Sequence, residues 1–201
     1  MRCYLIRHPQ PDIATGMCYG QLDLSLSQFG QLQQASLLEW GKGKGITQVY
    51  TSPLTRCTGL AQQLSALSNS SYQVIDSLKE FHFGHWEGKN WSEISRTQIT
   101  AWQQELLHFC IPGGESLSQF HRRVIAAWQA LAQAHQGQCI ALVCHAGVIR
   151  SVVAHELNLA VTESVKLGLD YGSISKLTIE GEFKQLNYLN RTLKPPESQK
   201  Y

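Results

Sequence analysis

Two histidines each follow a short apolar run, and this position makes them the first candidates for chemistry. Arg7 and His8 come directly after residues 3–6, and His145 follows residues 140–143 with one cysteine between. Such runs are typical of strands buried on both faces of a parallel sheet, and open α/β sheets bind ligands beyond the carboxyl ends of their strands. The sequence therefore predicts two imidazoles at one edge of a sheet. The neighbouring arginine favours a nitrogen nucleophile and an anionic substrate.

The segments around these runs alternate between strand-like and helix-like patterns, which predicts the α/β class. Ser27 is suited to cap a helix that ends in the glycine-rich stretch 41–45, because a serine side chain accepts hydrogen bonds from helix N–H groups. That stretch lacks the spacing of a phosphate-binding loop and is expected to be an exposed connector. Further strands are predicted at 46–51, 73–75 and 173–179, the last of which is expected to end the sheet. Helices are predicted from Pro53, at 91–109, at 117–135 and from Gly147. The polar tail from Arg191 is expected to be loosely ordered.

Composition limits the class of protein more than the activity. A length of 201 residues fits one domain spanning 1–201, and a net charge of +2 gives no reason to expect a nucleic-acid partner. No apolar stretch approaches the roughly 20 residues that span a bilayer, and no signal segment precedes the first strand. The six cysteines lack C-x-x-C spacing and are expected to be reduced thiols. These features predict a cytoplasmic domain without a membrane partner.

Five short blocks, in order, resemble the histidine phosphatase superfamily, the phosphoglycerate-mutase-like proteins. They cover residues 5–8, 50–56, 78–88, 112–116 and 143–147. The resemblance spans most of the chain and implies a three-layer α/β/α sandwich with a mostly parallel sheet. It also implies an enzyme that needs no metal and no cofactor and acts on a small-molecule phosphomonoester.

Within this resemblance His8 matches the nucleophile. A neutral imidazole nitrogen can attack phosphorus, and a covalent phosphohistidine divides one difficult displacement into two easier ones. Arg7 and Arg56 match the residues that hold the phosphate, since a guanidinium presents paired donors to two phosphate oxygens. His145, when protonated, would stabilise the charge that builds on the phosphoryl oxygens, and Ala146 offers a backbone N–H at the start of a helix.

Glu80 matches the general acid, which would protonate the leaving alcohol and then take a proton from the incoming water. Glu87 has the same charge but matches a structural position of the family. His82 and His85, with Glu80 near them in sequence, are spaced as a metal-binding pair, but no third strongly placed ligand is evident, so we expect no metal. Glu115 and Ser116 are expected to begin the helix near Leu117.

The loop over residues 9–26 borders the pocket in the family, and Gln21 within it is expected to hydrogen-bond the phosphate or the leaving group. Asp23 is expected to order the loop. Pro9 and Pro11 stand where the family usually has glycine and often threonine, which removes backbone donors. With the residues that follow, Pro9 resembles a bacterial subgroup related to α-ribazole phosphatase, which implies α-ribazole 5′-phosphate as substrate in cobalamin biosynthesis.

Three other functions stay open at this point. A broad-specificity sugar or nucleotide phosphatase would use the same residues. A phosphoglycerate mutase would return the phosphate to its substrate, but mutases of the family carry a longer insertion than the 29 residues between Gly84 and Gly114. An inactive module would bind phosphorylated ligands without turnover. A homo-oligomer also remains open, because the five tryptophans suit either a core or an interface.

Overall fold

The computed structural model describes residues 1–194, which contain a six-stranded sheet with the strand order β3-β2-β4-β1-β5-β6. Strands β1 to β4 run parallel to one another, whereas β5 is antiparallel to β1 and β6 is antiparallel to β5. The sheet is therefore mostly parallel, as predicted. Its strands are β1 (Arg2–Arg7), β2 (Gln48–Thr51), β3 (Ser71–Val74), β4 (Cys139–Cys144), β5 (Ile174–Glu180) and β6 (Phe183–Arg191).

Helices cover both faces of this sheet and form the outer two of three layers. Apolar residues of α1 and α2 pack on one face, and those of α4 and α5 pack on the other. The helices are α1 (Gln28–Gly41), α2 (Thr55–Leu67), α3 (Arg96–Gln104), α4 (Leu117–Ala134) and α5 (Ala146–Glu156). Ser27 accepts a hydrogen bond from the N–H of Gly30, and Ser116 and Gln119 form a reciprocal capping box at the start of α4. Both predicted caps are confirmed.

The two central strands explain the position of the histidines. Every residue of β4 is buried, and alternate side chains of β1 and β4 point into the two separate apolar clusters of the sandwich. The parallel register pairs Arg7 with Cys144, so the next residue of each strand is a histidine. His8 and His145 therefore leave the sheet side by side at its carboxyl edge.

The structure differs from the predicted elements in two places. The expected helix over 91–109 is a 3₁₀ turn at Trp91–Glu93 followed by the shorter α3, because the Asn90 side chain caps the turn and the chain restarts after Ser95. The strand near 173–179 is not the last one, because β6 pairs with it across a turn at Gly181, which has a φ of 59°. Arg191 belongs to β6, and the rest of the predicted tail from 195 onward lies outside the described residues.

Between residues 1 and 194, no helix has both the length and the apolar character that crossing a bilayer requires.

Candidate active site

His8 is held as a neutral ring with its Nε2 lone pair pointing into the site. Its Nδ1 lies 2.7 Å from the carbonyl oxygen of Pro9, which can only accept, so Nδ1 carries the proton. Its Nε2 accepts a long hydrogen bond of 3.3 Å from Nε of Arg56. Burial, together with the guanidinium groups of Arg56 and Arg7, lowers the pKa of His8 well below its ordinary value. This is the protonation state that a nitrogen nucleophile requires.

Arg56 is completely buried and is fixed by the loop that precedes it in sequence. Its Nη1 donates to the carbonyl of Leu22 at 2.7 Å, and its Nη2 donates to the carbonyl of Gly20 at 2.6 Å. A guanidinium has five N–H groups, and these two bonds with the one to His8 use three of them. One N–H on each terminal nitrogen therefore remains for a phosphate. The Asp23 carboxylate accepts from the N–H and hydroxyl of Thr55, so it orders the loop and the start of α2 as predicted.

Arg7 lies against two groups from the C-terminal part of the chain. Its guanidinium carbon sits 3.8 Å from the ring centre of Tyr171, and Nη1 donates to the carbonyl of Leu169. The Tyr171 hydroxyl is 2.8 Å from the hydroxyl of Tyr19, whose ring faces Arg56. The buried Nε of Arg7 has no partner within residues 1–194. The stack on Tyr171 thus aligns Arg7 and leaves donors for an anion.

His145 is fully buried, with its ring centre 5.1 Å from that of His8. Its Nε2 is 2.8 Å from the Ser52 hydroxyl, and its buried Nδ1 has no partner among the described residues. Burial, and then the charges of His8, Arg56 and Arg7, lower the pKa of His145 well below its ordinary value. The site without phosphate therefore favours a neutral ring. A bound phosphate would favour the proton again, because its negative charge opposes that of the arginines.

The Glu80 carboxylate lies at the N-terminus of α5, the helix that follows His145. Its Oε2 accepts from the N–H of Gly147 at 3.2 Å, and its Oε1 accepts from the N–H of Phe81 at 2.9 Å. The N–H of Gly147 is thus used by Glu80, whereas that of Ala146 has no hydrogen bond to any residue of 1–194. A Cβ on Gly147 would overlap the Glu80 carboxylate. Only glycine at this position lets the carboxylate approach the helix.

Gln21 and Glu87 join the loop over residues 9–26 to the Glu80 segment. The Gln21 side-chain amide donates to the backbone carbonyl of Glu80 at 2.9 Å. Glu87 accepts from the backbone N–H groups of Gln21 and Phe83, at 2.9 and 3.0 Å. Glu87 therefore has the structural position expected of it. The backbone carbonyl oxygen of Pro9 orients the His8 ring, and proline keeps this acceptor because it lacks only the backbone N–H.

Arg123 positions the Glu80 segment, and sequence reasoning missed it. All five of its N–H groups are used: two bond the Glu115 carboxylate, at 3.0 and 2.7 Å, and three bond the backbone carbonyls of Ser77, Lys79 and Glu80. Glu115 also accepts from the N–H of His82 at 2.8 Å. Arg123 belongs to no motif and lies on the amphipathic helix α4. Its ion pair with Glu115 of the glycine-glycine-glutamate block is visible only in the structure.

The residues with metal-binding potential do not assemble into a cluster. Across residues 1–194 there is no group of three histidine, cysteine, aspartate or glutamate side chains arranged to hold a metal ion. His85 is exposed, and His82 is half-buried.

Comparison with known proteins places the chain in a family. A sequence model of the histidine phosphatase superfamily (branch 1) matches residues 3–192. The adenosylcobalamin/alpha-ribazole phosphatase of Escherichia coli K12 is 26% identical over 94% of this chain and 96% of its own length. Phosphoserine phosphatase 1 of Hydrogenobacter thermophilus is 24% identical over 96% and 93% of the two chains.

Solved structures similar to this chain include an alpha-ribazole phosphatase. The crystal structure of the alpha-ribazole phosphatase from Shigella flexneri superimposes with a TM-score of 0.85 at 26% identity, covering 95% of this chain and 96% of that one. The predicted fold class is confirmed.

Proposed function

The chain belongs to the histidine phosphatase superfamily and is a phosphatase, and from this premise we propose that it hydrolyses phosphomonoesters through a phosphohistidine on His8. The observation that carries the proposal is the state of the His8 ring. The ring is buried and neutral, and its Nε2 faces the guanidinium of Arg56 and lies beside His145. A nucleophilic lone pair and the guanidinium groups of Arg7 and Arg56 in one pocket suit a phosphate dianion.

In the first step Nε2 of His8 attacks phosphorus and the P–O bond to the alcohol breaks. The bond pair leaves on the alcohol oxygen, which takes a proton from Glu80. The long hydrogen bond from Arg56 to Nε2 has to be released at this moment. Arg7, Arg56, His145 and the N–H of Ala146 are assigned to the phosphoryl oxygens, where charge builds.

In the second step water attacks the phosphohistidine and Glu80, now ionised, accepts its proton. The P–N bond breaks, and its electron pair returns to His8 as the neutral ring. Gln21 is assigned to the alcohol side, because its amide already contacts the backbone of Glu80. Both steps use one carboxylate as acid and then as base.

For the substrate we assign α-ribazole 5′-phosphate, in cobalamin biosynthesis. The support is the similarity to the Escherichia coli and Shigella flexneri proteins over nearly the whole chain, together with the Pro9 loop. The second candidate is phosphoserine, which the Hydrogenobacter thermophilus relative favours.

The test is phosphate release from α-ribazole 5′-phosphate, phosphoserine, 3-phosphoglycerate and a panel of sugar and nucleotide monophosphates, with chelator present. His8→Ala should abolish turnover, and the matched control is His108→Ala, because His108 is exposed and lies outside the site. An alkaline quench followed by mass spectrometry should find phosphate on His8. Kinetic preference for α-ribazole 5′-phosphate supports that substrate, and equal turnover of all esters rejects it.

The rival functions predict other results. A mutase would convert 3-phosphoglycerate to its isomer faster than it releases phosphate. An inactive module would bind phosphate without forming phosphohistidine. Full turnover by the His8→Ala variant would overturn the mechanism itself.

A further inference from the structure

A cavity of about 220 Å³ lies beside Glu80. Its wall includes Glu80 and Gly147, and the rest comes from residues 81–83, from α3 and the residues just after it, from α4 and α5, and from the turn at Glu163–Lys166. A role for this space in catalysis rests on the proposed function, because a general acid has to touch the oxygen of the leaving alcohol. The space beside that acid is therefore where the remainder of the leaving group must lie. We call it the Glu80 cavity.

Flat aromatic side chains form most of the apolar wall. Phe81 packs against Phe83 and Phe120, with ring centres 4.7 and 5.5 Å apart. Trp102 closes another side of the cavity. Planar groups fit between such walls, and small hydrated polar groups do not, because they would lose water without replacement. A cavity of about 150 Å³ already holds benzene, so this one has room for a larger ring system.

One cationic side chain interrupts this wall and can donate hydrogen bonds to a ligand. Arg150 donates through Nε to the carbonyl of Leu167 at 3.0 Å, while its terminal nitrogens make no hydrogen bond to the described residues. These N–H groups are matched by a ligand that carries acceptor atoms.

The charge of the wall excludes one kind of ligand. Glu80 is the only carboxylate among the described residues that bound the cavity, and Arg150 places a positive charge opposite. A leaving group with an ammonium would meet Arg150 and would have no acidic partner except the catalytic carboxyl group. The small zwitterion serine is thus a poor occupant.

We propose that the Glu80 cavity selects phosphomonoesters whose leaving alcohol carries a planar aromatic group with hydrogen-bond acceptors. Phe81, Phe120 and Trp102 stack on and enclose the ring. Arg150 donates to its acceptor atoms. These residues determine specificity for the leaving group and take no part in the transfer of phosphate.

The test compares four primary alkyl esters that need the same protonation of the leaving oxygen. They are 2-(1-naphthyl)ethyl phosphate, n-propyl phosphate, phosphoethanolamine and phosphoserine. We expect kcat/KM for the naphthyl ester to exceed that for the propyl ester by about 50-fold or more, because an apolar pocket already discriminates a single methylene by about 10- to 200-fold. The two ammonium-bearing esters should rank below propyl phosphate.

Two substitutions connect this preference to the cavity. Trp102→Ala should reduce the naphthyl-to-propyl ratio by at least about tenfold, and Trp40→Ala, outside the cavity, should keep the ratio. An ester of 2-(quinolin-8-yl)ethanol adds one ring acceptor, and Arg150→Met should remove whatever gain this acceptor gives.

Binding separates failure of this inference from failure of the proposed function. In His8→Ala, calorimetry should detect tighter binding of the naphthyl ester than of the propyl ester. If no ester is hydrolysed but this difference remains, the proposed function fails and the cavity assignment stands. Equal kcat/KM for the naphthyl and propyl esters, or a ratio that survives Trp102→Ala, overturns the cavity assignment and leaves the phosphatase intact.

Discussion

Replacing Gly147 by alanine should separate the chemistry of Glu80 from the stability of the fold. The Gly147 N–H donates to Oε2 of Glu80 at 3.2 Å, and an added Cβ would overlap Oε1 of the same carboxylate and lie 3.0 Å from Cζ of Phe120. The carboxylate is the end of a flexible side chain and can move away. We therefore expect the protein to fold with Glu80 displaced from the edge of the site.

The size of the effect follows from the lost contact. A hydrogen bond to a charged group contributes about 1.5–3 kcal/mol. If the transition state loses this stabilisation of Glu80, the rate falls by about 10- to 150-fold, since about 1.4 kcal/mol corresponds to a factor of ten. Alanine also favours a helix over glycine by up to about 1 kcal/mol, which offsets part of the strain. The free energy of unfolding should thus change by less than about 1 kcal/mol.

The assay uses the need of the leaving group for a proton. p-Nitrophenolate can leave as the anion, whereas the oxygen of propanol has to be protonated as it leaves. In rapid-mixing experiments the Gly147→Ala variant should form p-nitrophenolate in a burst close to that of the unsubstituted protein, followed by slow turnover, because the second step still needs Glu80 as a base. With n-propyl phosphate, formation of the phosphohistidine itself should be slow.

Gly59→Ala is the matched control, because Gly59 lies within α2 and a Cβ added to it would meet no described residue outside its own helix backbone within 4 Å. It should leave both esters unaffected. An equal loss of the burst with both esters, or no loss with either, would refute the assignment of Glu80 as the acid.

Three further substitutions or titrations test other parts of the site. Tyr171→Ala should weaken binding of inorganic phosphate by about 2- to 30-fold in calorimetry, because a stack on the Arg7 guanidinium contributes about 0.5–2 kcal/mol, and Tyr171→Phe should bind nearly as the native protein does. Burial lowers the pKa of His8 and His145 in the folded state, so below about pH 6.5 the unfolded state binds more protons. The free energy of unfolding from urea titrations should therefore decrease as the pH is lowered below about 6.5, by up to about 1.4 kcal/mol per pH unit for each histidine. The decrease should be less steep in His145→Asn. Arg123→Lys should lower the free energy of unfolding by about 2 kcal/mol and kcat as well, because an ammonium cannot make the five bonds of the guanidinium; unchanged kcat would mean that Arg123 does not position Glu80.

The central part of the fold was predictable because its signal is local. β4 is buried throughout and β1 from Cys3 to Ile6, and both are apolar there; the caps at Ser27 and Ser116 use the residue types that accept hydrogen bonds from helix N–H groups. Since a histidine directly follows each strand, the register alone brings the two rings together. This part of the site follows from the sequence.

The missed parts depend on contacts between distant segments. Most side chains of β6 are exposed or half-exposed, so that strand lacks an apolar run, and only the turn glycine Gly181 marked it. Trp91 and Trp102 stack with ring centres 6.1 Å apart, and this packing accompanies the break in the expected helix. Tyr171 and Arg123 act through backbone and ring contacts that no spacing encodes.

The contacts of Arg7 and His8 with the far end of the chain have a consequence for biosynthesis. Arg7 depends on Leu169 and Tyr171, and the carbonyl of His8 accepts from the N–H of Gly172. A ribosome makes the arginine and the histidine more than 160 residues before the surfaces that orient them. A nascent chain therefore carries the nucleophile before the contacts that position it can form.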